Sequence, residues 1–146
     1  MKILIDADGC PVVSLTVSLS KKFNLEVMIF CDSSHYFASE YAQVITVMKG
    51  LDAVDFELIK FVKPGDIVVT QDYGLAAMAL AKGGRVINQN GLIYTQDNID
   101  HLLLTRHENS KIRKAGGRVK GPKKRIQKDD EQFRKSFYYL CTKEGS

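Results

Sequence analysis

Residues 2–11 read KILIDADGCP, and this stretch decides the fold class. Its apolar run does not alternate with polar residues, which is typical of a short strand buried on both faces of a sheet. Asp6 and Asp8 close the run, and Gly9 and Pro11 then interrupt any regular structure. The stretch therefore predicts a buried first strand that ends in an acidic turn.

The rest of the chain alternates between strand-like and helix-like segments. Strands are predicted at 25–31, 43–48, 66–70 and 85–88, and helices at 53–61, 73–82, 97–114 and 127–140. Strands that alternate with helices favour a parallel sheet covered on both faces. We therefore expect an α/β protein, a three-layer sandwich with a central, mostly parallel sheet of about five strands.

Residues 12–20 are ambiguous, because apolar and polar side chains alternate through them. This period of two is typical of a strand. Pro11, however, suits the first position of a helix, and two parallel strands need a crossover between them. We therefore predict a helix here.

The bulk composition fits one domain in a reducing compartment. The chain has 146 residues, 45% of them hydrophobic, and its three cysteines are too few and too scattered for a disulfide framework. Neither a secretory signal nor an apolar run of membrane-spanning length is visible, so we expect a cytoplasmic protein that does not contact membranes. We expect residues 1–114 to form the α/β body and 115–146 a basic connector and a last helix packed on that body. The sequence does not indicate an oligomeric state.

The net charge of +4 is unevenly distributed. Residues 111–135 carry a net charge of +8, which leaves −4 for the rest of the chain. A basic segment beside an acidic body suits a phosphodiester backbone, and RNA is the expected partner, although a solvated tail has the same composition. The candidate nucleic-acid-binding residues are Lys111, Arg113, Lys114, Arg118, Lys120, Lys123, Lys124 and Arg125.

Acidic residues follow several of the predicted strands. Asp6, Asp32 and Asp72 come just after strand ends, and Asp8 projects from the same face as Asp6 if the chain stays extended. Because parallel strands end at one edge of a sheet, Asp6, Asp8 and Asp72 are expected together there. Clustered carboxylates repel one another, and a hard cation such as Mg²⁺ or Mn²⁺ relieves the repulsion.

Other roles are open for each of these acids. A single Asp after a strand is also typical of a helix cap or a turn. Asp55 or Asp52, near the start of a predicted helix, could complete the cluster, but Asp52 also suits the N-cap of that helix. Asp97 is predicted to be the N-cap of the helix at 97–114.

Histidine and cysteine do not suggest a nucleophilic site. His35, His101 and His107 are predicted to be surface or partly buried residues rather than ligands. Cys10, beside the acidic turn, is predicted to be a buried structural cysteine, with a thiol activated by a helix N-terminus as the alternative.

The order and spacing of several motifs resemble the YaiI/YqxD family of small bacterial proteins over about residues 1–140. The motifs are IDADGCPV at 5–12, DIVVTQD at 66–72 followed by Leu75-Ala76, and KGG at 82–84 followed by NQNG at 88–91, Tyr94-Thr95 and Asn98-Ile99. The resemblance implies a PIN-like fold, and PIN-like domains are commonly Mg²⁺- or Mn²⁺-dependent ribonucleases. It implies Asp6, Asp72 and Asp55 as catalytic acids and metal ligands, with Asp8 in support. The fourth PIN acid has no clear counterpart.

Two other functions remain open at this point. The motif at 5–9 also imitates the D-x-D opening of haloacid-dehalogenase-type phosphohydrolases, with Asp6 as nucleophile and Asp8 as acid/base. Cys10 stands where Thr or Val is expected there, and no late pair of acids follows a strand. The third alternative is a non-catalytic RNA-binding protein that keeps the fold.

Overall fold

The computed structural model describes residues 1–50, 53–117 and 124–142. The strands are β1 (Lys2–Asp6), β2 (Glu26–Asp32), β3 (Gln43–Val47), β4 (Ile67–Val69), β5 (Arg85–Ile87) and β6 (Ile93–Tyr94). The helices are α1 (Val13–Lys22), α2 (Ala53–Phe61), α3 (Tyr73–Ala81), α4 (Gln96–Lys114) and α5 (Gln127–Thr142). None of these helices is both long enough and apolar enough to cross a membrane.

The strands form one sheet in the order β3-β2-β1-β4-β5-β6. The first five in this order run parallel, and β6 pairs antiparallel with β5. The expected α/β class and mostly parallel sheet are confirmed, with six strands in place of about five. Strand β6 escaped prediction because its two residues are too short for a periodicity.

Helices cover both faces of the sheet, which makes a three-layer sandwich. Successive residues of β1 alternate between the two faces, so that Ile3 and Ile5 pack with α1 and α5. Leu4 points the other way and packs with residues of α2, α3 and α4. All three side chains have no solvent exposure, which explains the unbroken apolar run that predicted a strand.

The ambiguous segment 12–20 is helical, as predicted. Its buried polar residues are satisfied within the helix, because the Thr16 hydroxyl donates to the Val12 carbonyl and the Ser20 hydroxyl donates to the Thr16 carbonyl. These bonds let polar side chains occupy buried positions and so hide the helical period. The helix begins at Val13, two residues after Pro11, so Pro11 is not its first residue.

The N-cap predicted for α4 is wrong. The cap is Thr95, whose Oγ1 accepts a hydrogen bond from the Asn98 backbone N–H, while the Asn98 side chain accepts one from the Thr95 N–H. This reciprocal pair is a capping box in which Asn takes the place of the usual Glu or Gln. Asp97 lies in the first turn, where its charge still interacts favourably with the helix dipole.

Helix α5 packs on the α1 face of the sheet. Phe133, Phe137 and Leu140 are buried there, and the two phenyl rings stack with centroids 5.5 Å apart. The β5–β6 turn lies directly against the helix, since a Cβ on Gly91 would come within 2.6 Å of the Gln132 carbonyl oxygen. The last helix and the sheet therefore share one hydrophobic core.

Candidate functional site

The candidate site lies at the carboxyl edge of the sheet, between β1 and β4. The chain leaves β1 toward β2 on one side and leaves β4 toward β5 on the other. Such a divergence opens a crevice beyond the strand ends, which is where α/β proteins place ligands. Asp6 is the last residue of β1, and Thr70 directly follows β4.

Thr70 connects the two predicted acids. Its hydroxyl donates to Asp6 Oδ2 over 2.8 Å and accepts from the Asp72 backbone N–H over 3.0 Å. Asp72 Oδ1 in turn accepts from the Leu75 N–H over 3.1 Å and caps α3. Asp72 is thus a helix cap and a wall of the crevice at the same time.

Burial makes the charge of Asp6 unfavourable. Removal from water raises the pKa of Asp6 to about 6, and the nearby negative charges of Asp72 and Asp8 add to the rise. The hydrogen bond from Thr70 acts in the opposite direction but does not cancel these effects. A cation bound at this position would favour the ionised form.

The crevice is a cavity of about 440 Å³ lined by acids from four segments of the chain. They are Asp6 at the end of β1 and Asp8 just beyond it, Asp32 at the end of β2, Asp55 in the first turn of α2 and Asp72 after β4. The four predicted site residues Asp6, Asp8, Asp55 and Asp72 therefore line the same cavity. Asp52, the alternative to Asp55, lies outside the described residues.

Arg106 also lines the cavity, although the sequence analysis did not single it out. It projects from α4 and makes no ion pair with another described residue. Its position depends on how α4 packs across α3, a long-range contact that no local motif encodes. The cavity therefore combines a group of carboxylates with one guanidinium.

Asp8 is the centre of a second group of donors. Its Oδ2 accepts from the Asp32 backbone N–H over 3.1 Å, whereas its Oδ1 is buried without a hydrogen bond to a described residue. His35 Nδ1 lies 2.9 Å from Asp8 Oδ1 and 3.2 Å from Asp32 Oδ1. These separations resemble those between neighbouring ligands of one ion, since bonds of about 2.1 Å at right angles place ligand atoms about 3 Å apart.

His35 is exposed in the loop after β2, as predicted, and the prediction that it is not a ligand stays a prediction. One donor atom each from Asp8, Asp32 and His35 lies within 4.8 Å of the others. Asp32 was recognised as a residue at a strand end but was not included in the predicted site. The signal that could have found His35 is its place three residues after Asp32, in the loop that follows β2.

Gly9 shapes the turn that follows β1. Its φ of 75° lies in the left-handed region, and a Cβ there would come within 3.0 Å of Gln71 Nε2. Gln71 Nε2 donates to the Gly9 carbonyl over 3.0 Å and ties the turn after β1 to the turn after β4. Only glycine therefore fits this turn without strain.

Burial raises the pKa of Cys10 to about 11. The thiol therefore stays protonated at neutral pH and is a poor nucleophile. Cys10 packs against the core but is only partly buried, so the fully buried position predicted for it is not what the structure has. His101 and His107 lie exposed on α4, as predicted for surface residues.

The predicted nucleic-acid-binding residues separate into three groups. Lys111, Arg113 and Lys114 are exposed in the last turn of α4, where positive charge also suits the helix dipole. Arg118, Lys120 and Lys123 lie outside the described residues. Lys124 is exposed, whereas Arg125 is bound to Asp130, Asn90 and the Gln89 carbonyl oxygen. Arg125 therefore anchors the start of α5 to the β5–β6 turn.

The residues at the sheet edge fit a hard divalent cation. The donors are carboxylate oxygens, which Mg²⁺ and Mn²⁺ prefer. The raised pKa of Asp6 shows a carboxylate whose charge its surroundings do not balance, whereas Asp8 Oδ1 has His35 Nδ1 2.9 Å away. Among the described residues, only Asp8, Asp32 and His35 form a group of three possible ligands within 4.8 Å of one another. Asp6, Asp72 and Asp55 line the same cavity but do not form such a group.

Fold and site together define an α/β protein with a carboxylate-lined cavity where the strand order diverges. Residues 4–143 match the family model described as "Uncharacterized BCR, YaiI/YqxD family", so the chain belongs to that family.

Curated relatives cover nearly the whole chain. A UPF0178 protein of Exiguobacterium sibiricum is 56% identical over 97% of both chains. One of Ruminiclostridium cellulolyticum is 52% identical over 99% of this chain and 95% of its own. One of Clostridium acetobutylicum is 47% identical over 96% of both chains. These names state a family and no activity.

Proposed function

We propose that the protein is an Mg²⁺- or Mn²⁺-dependent phosphodiester hydrolase that acts on RNA. The observation that carries the proposal is the convergence of Asp6, Asp8, Asp55 and Asp72 on one cavity. These residues come from three separate segments of the chain, so their meeting depends on the folded sheet rather than on local sequence. Their carboxylates would bind a divalent cation, and the cation would in turn bind a phosphate.

Arg106 supports a phosphate substrate rather than a cation alone. A site that only stored a divalent cation would gain nothing from a positive side chain at its wall, because like charges repel. A guanidinium instead matches the paired oxygens of a phosphate. With a substrate bound, Arg106 would orient the phosphodiester while the carboxylates face its other side.

The carboxylates have separate tasks in this mechanism. Asp6, which accepts from the Thr70 hydroxyl, and Asp72, whose backbone N–H donates to the same hydroxyl, would position the cation and orient the attacking water. A bound Mg²⁺ or Mn²⁺ supplies an acidified water and offsets charge on the phosphate. Asp55 borders the same cavity from α2 and would complete the ligand set.

The test is cleavage of a labelled single-stranded RNA with Mn²⁺ by the wild type, Asp6→Asn and Asp72→Asn. We expect either substitution to lower the rate by about a hundredfold or more, because each removes a charged ligand. Asp97→Asn is the matched control, since Asp97 is exposed on α4 and does not line the cavity. Undiminished cleavage by Asp6→Asn would refute the proposal.

Two other outcomes would assign the alternative functions. Phosphate trapped covalently on Asp6 would show a haloacid-dehalogenase-type phosphohydrolase. RNA that binds but stays intact after long incubation with Mn²⁺ would show a non-catalytic RNA-binding protein.

A further inference from the structure

A second cavity, of about 670 Å³, lies next to the acidic one along the same edge of the sheet. We call it the basic cleft. Its walls are the turns after β1, β4 and β5, represented by Gly9, Gln71 and Gln89, together with the start of α5. Gln71 lines both cavities, so the cleft continues the acidic cavity without a break in the sheet edge.

Two lysines give the basic cleft its available positive charge. Lys124 and Lys128 line it, are exposed, and make no ion pair with another described residue. Arg125 also lines it, but the Asp130 carboxylate pairs with its guanidinium. Asp129 lines the cleft as well, where its Oδ2 accepts from the Ile126 backbone N–H. The two lysines therefore leave the cleft with a surplus of positive charge, opposite in sign to the neighbouring acids.

Specific contacts hold the wall of the cleft in place. Arg125 joins Asn90 and the Gln89 carbonyl to α5, and Gly91 lets the turn lie against Gln132. These contacts fix the distance between the β5–β6 turn and the two lysines. A ligand would thus meet a preformed surface, which reduces the entropy lost on binding.

Gln89 adds a polar contact to this surface. Its Oε1 is buried and has no hydrogen-bond partner among the described residues. Gln89 lines the cleft beside Asn90, so the surface offers amide groups as well as the two lysines. The phosphates and sugar hydroxyls of RNA can hydrogen-bond to both kinds of group.

From this geometry we infer that the basic cleft binds the backbone of single-stranded RNA beside the phosphodiester that lies at the acidic cavity. The RNA strand would pass over Gln71. Lys124 and Lys128 would contact its phosphates on one side of Gln71, and the acidic cavity would lie on the other side. The inference rests on the proposed function and adds to it a substrate-binding surface outside the acidic cavity. The inference also names Lys128 as a phosphate contact in place of Arg125, because the Arg125 guanidinium is already hydrogen-bonded within the protein.

The test compares two double charge reversals. Lys124→Glu with Lys128→Glu alters the cleft, and Lys21→Glu with Lys22→Glu makes the same change of charge in the last turn of α1, at the opposite edge of the sheet. Fluorescence anisotropy with a short labelled single-stranded RNA in EDTA measures affinity without metal-dependent cleavage. We expect the cleft variant to bind about tenfold more weakly and the control to change by less than about twofold.

A neutral pair of substitutions gives a second readout. Lys124→Gln with Lys128→Gln should lower the slope of log affinity against log salt by about 1.4, since two phosphate contacts are lost from a single strand. Equal losses in the cleft variant and the control would show attraction by net charge alone and would overturn the inference. An unchanged affinity in the cleft variant, or no RNA binding by the wild type, would also overturn it.

A small substrate separates this inference from the proposed function. Bis(p-nitrophenyl) phosphate is small enough to occupy the acidic cavity alone, so its Mn²⁺-dependent hydrolysis should be the same in the cleft variant and the wild type. Hydrolysis of this ester together with unaltered RNA binding in the cleft variant would refute the cleft and leave the hydrolase standing. RNA bound through the lysines without hydrolysis of either substrate would refute the hydrolase and leave the cleft standing.

Discussion

The protonation of Asp6 affects the stability of the protein. Its pKa of about 6 in the folded chain lies above the value near 4 that an unfolded chain gives it. The folded state therefore holds this proton more tightly than the unfolded state does. Stability is unaffected below about pH 4, falls as the pH rises toward 6, and stays reduced above that, by roughly 3 kcal/mol.

The substitution Asp6→Asn tests this pH dependence. In EDTA at pH 8 we expect the variant to be more stable than the wild type by up to about 3 kcal/mol, because the buried charge is gone. At pH 4, where the wild-type carboxyl is protonated in the folded state, the difference should nearly vanish. Urea unfolding at the two pH values measures both quantities.

A metal titration provides the control for this prediction. Mn²⁺ should stabilise the wild type by mass action and have a smaller effect on Asp6→Asn, which lacks one ligand charge. A gain in stability from the substitution that is equal at pH 4 and pH 8 would contradict the assigned ionisation.

At the scale of single elements, the start of α4 shows which side chain caps a helix. Thr95→Ala removes the hydroxyl that accepts from Asn98 and should destabilise the protein by about 1 kcal/mol. Asp97→Ala removes only a favourable charge in the first turn and should lower stability by about half that or less. Chemical denaturation of both variants measures the difference, and a larger loss in Asp97→Ala would contradict the capping box.

The elements also show how far the sequence predicts the structure. Buried parallel strands were predictable because their apolar runs do not alternate, as in β1 and β4. The cap of α4 was assigned two residues too late, because Thr95 and Asp97 are both good capping residues and only the backbone geometry distinguishes them. Helix α1 was predictable only through the crossover that parallel strands require.

Within the site, acids at strand ends were easier to predict than residues whose positions depend on how distant elements pack. Asp6 and Asp72 were predictable as neighbours because each follows a parallel strand. Asp32 also ends a parallel strand and was recognised there, but it was not included in the predicted site. His35 and Arg106 belong to a loop and a helix whose positions depend on long-range packing. The family is confirmed, whereas the PIN-like fold and its catalytic chemistry stay predictions.

At the scale of the whole molecule, α5 is part of the body rather than an appendage. A chain that ends at Ala115 would lose the four buried side chains of α5, of which Phe133, Phe137 and Leu140 are worth about 2–3 kcal/mol each. That loss is comparable with the total stability of a domain. We expect this truncated chain to lose cooperative thermal unfolding, as measured by circular dichroism.

A shorter truncation is the matched control for this prediction. A chain that ends at Thr142 keeps all of α5 and should unfold within a few degrees of the full-length protein. Cooperative unfolding of the chain that ends at Ala115, at a similar temperature, would show that residues 1–114 fold alone.

The hydrogen bond between Thr70 and Asp6 joins residues 64 positions apart. During synthesis, Asp6 leaves the ribosome long before its partner, and the acidic cavity cannot assemble until β4 has been made and has docked beside β1. A cation held by both Asp6 and Asp72 could therefore bind only after this distant pairing is complete. We expect Mn²⁺ to slow unfolding of the finished protein while leaving the rate of folding nearly unchanged.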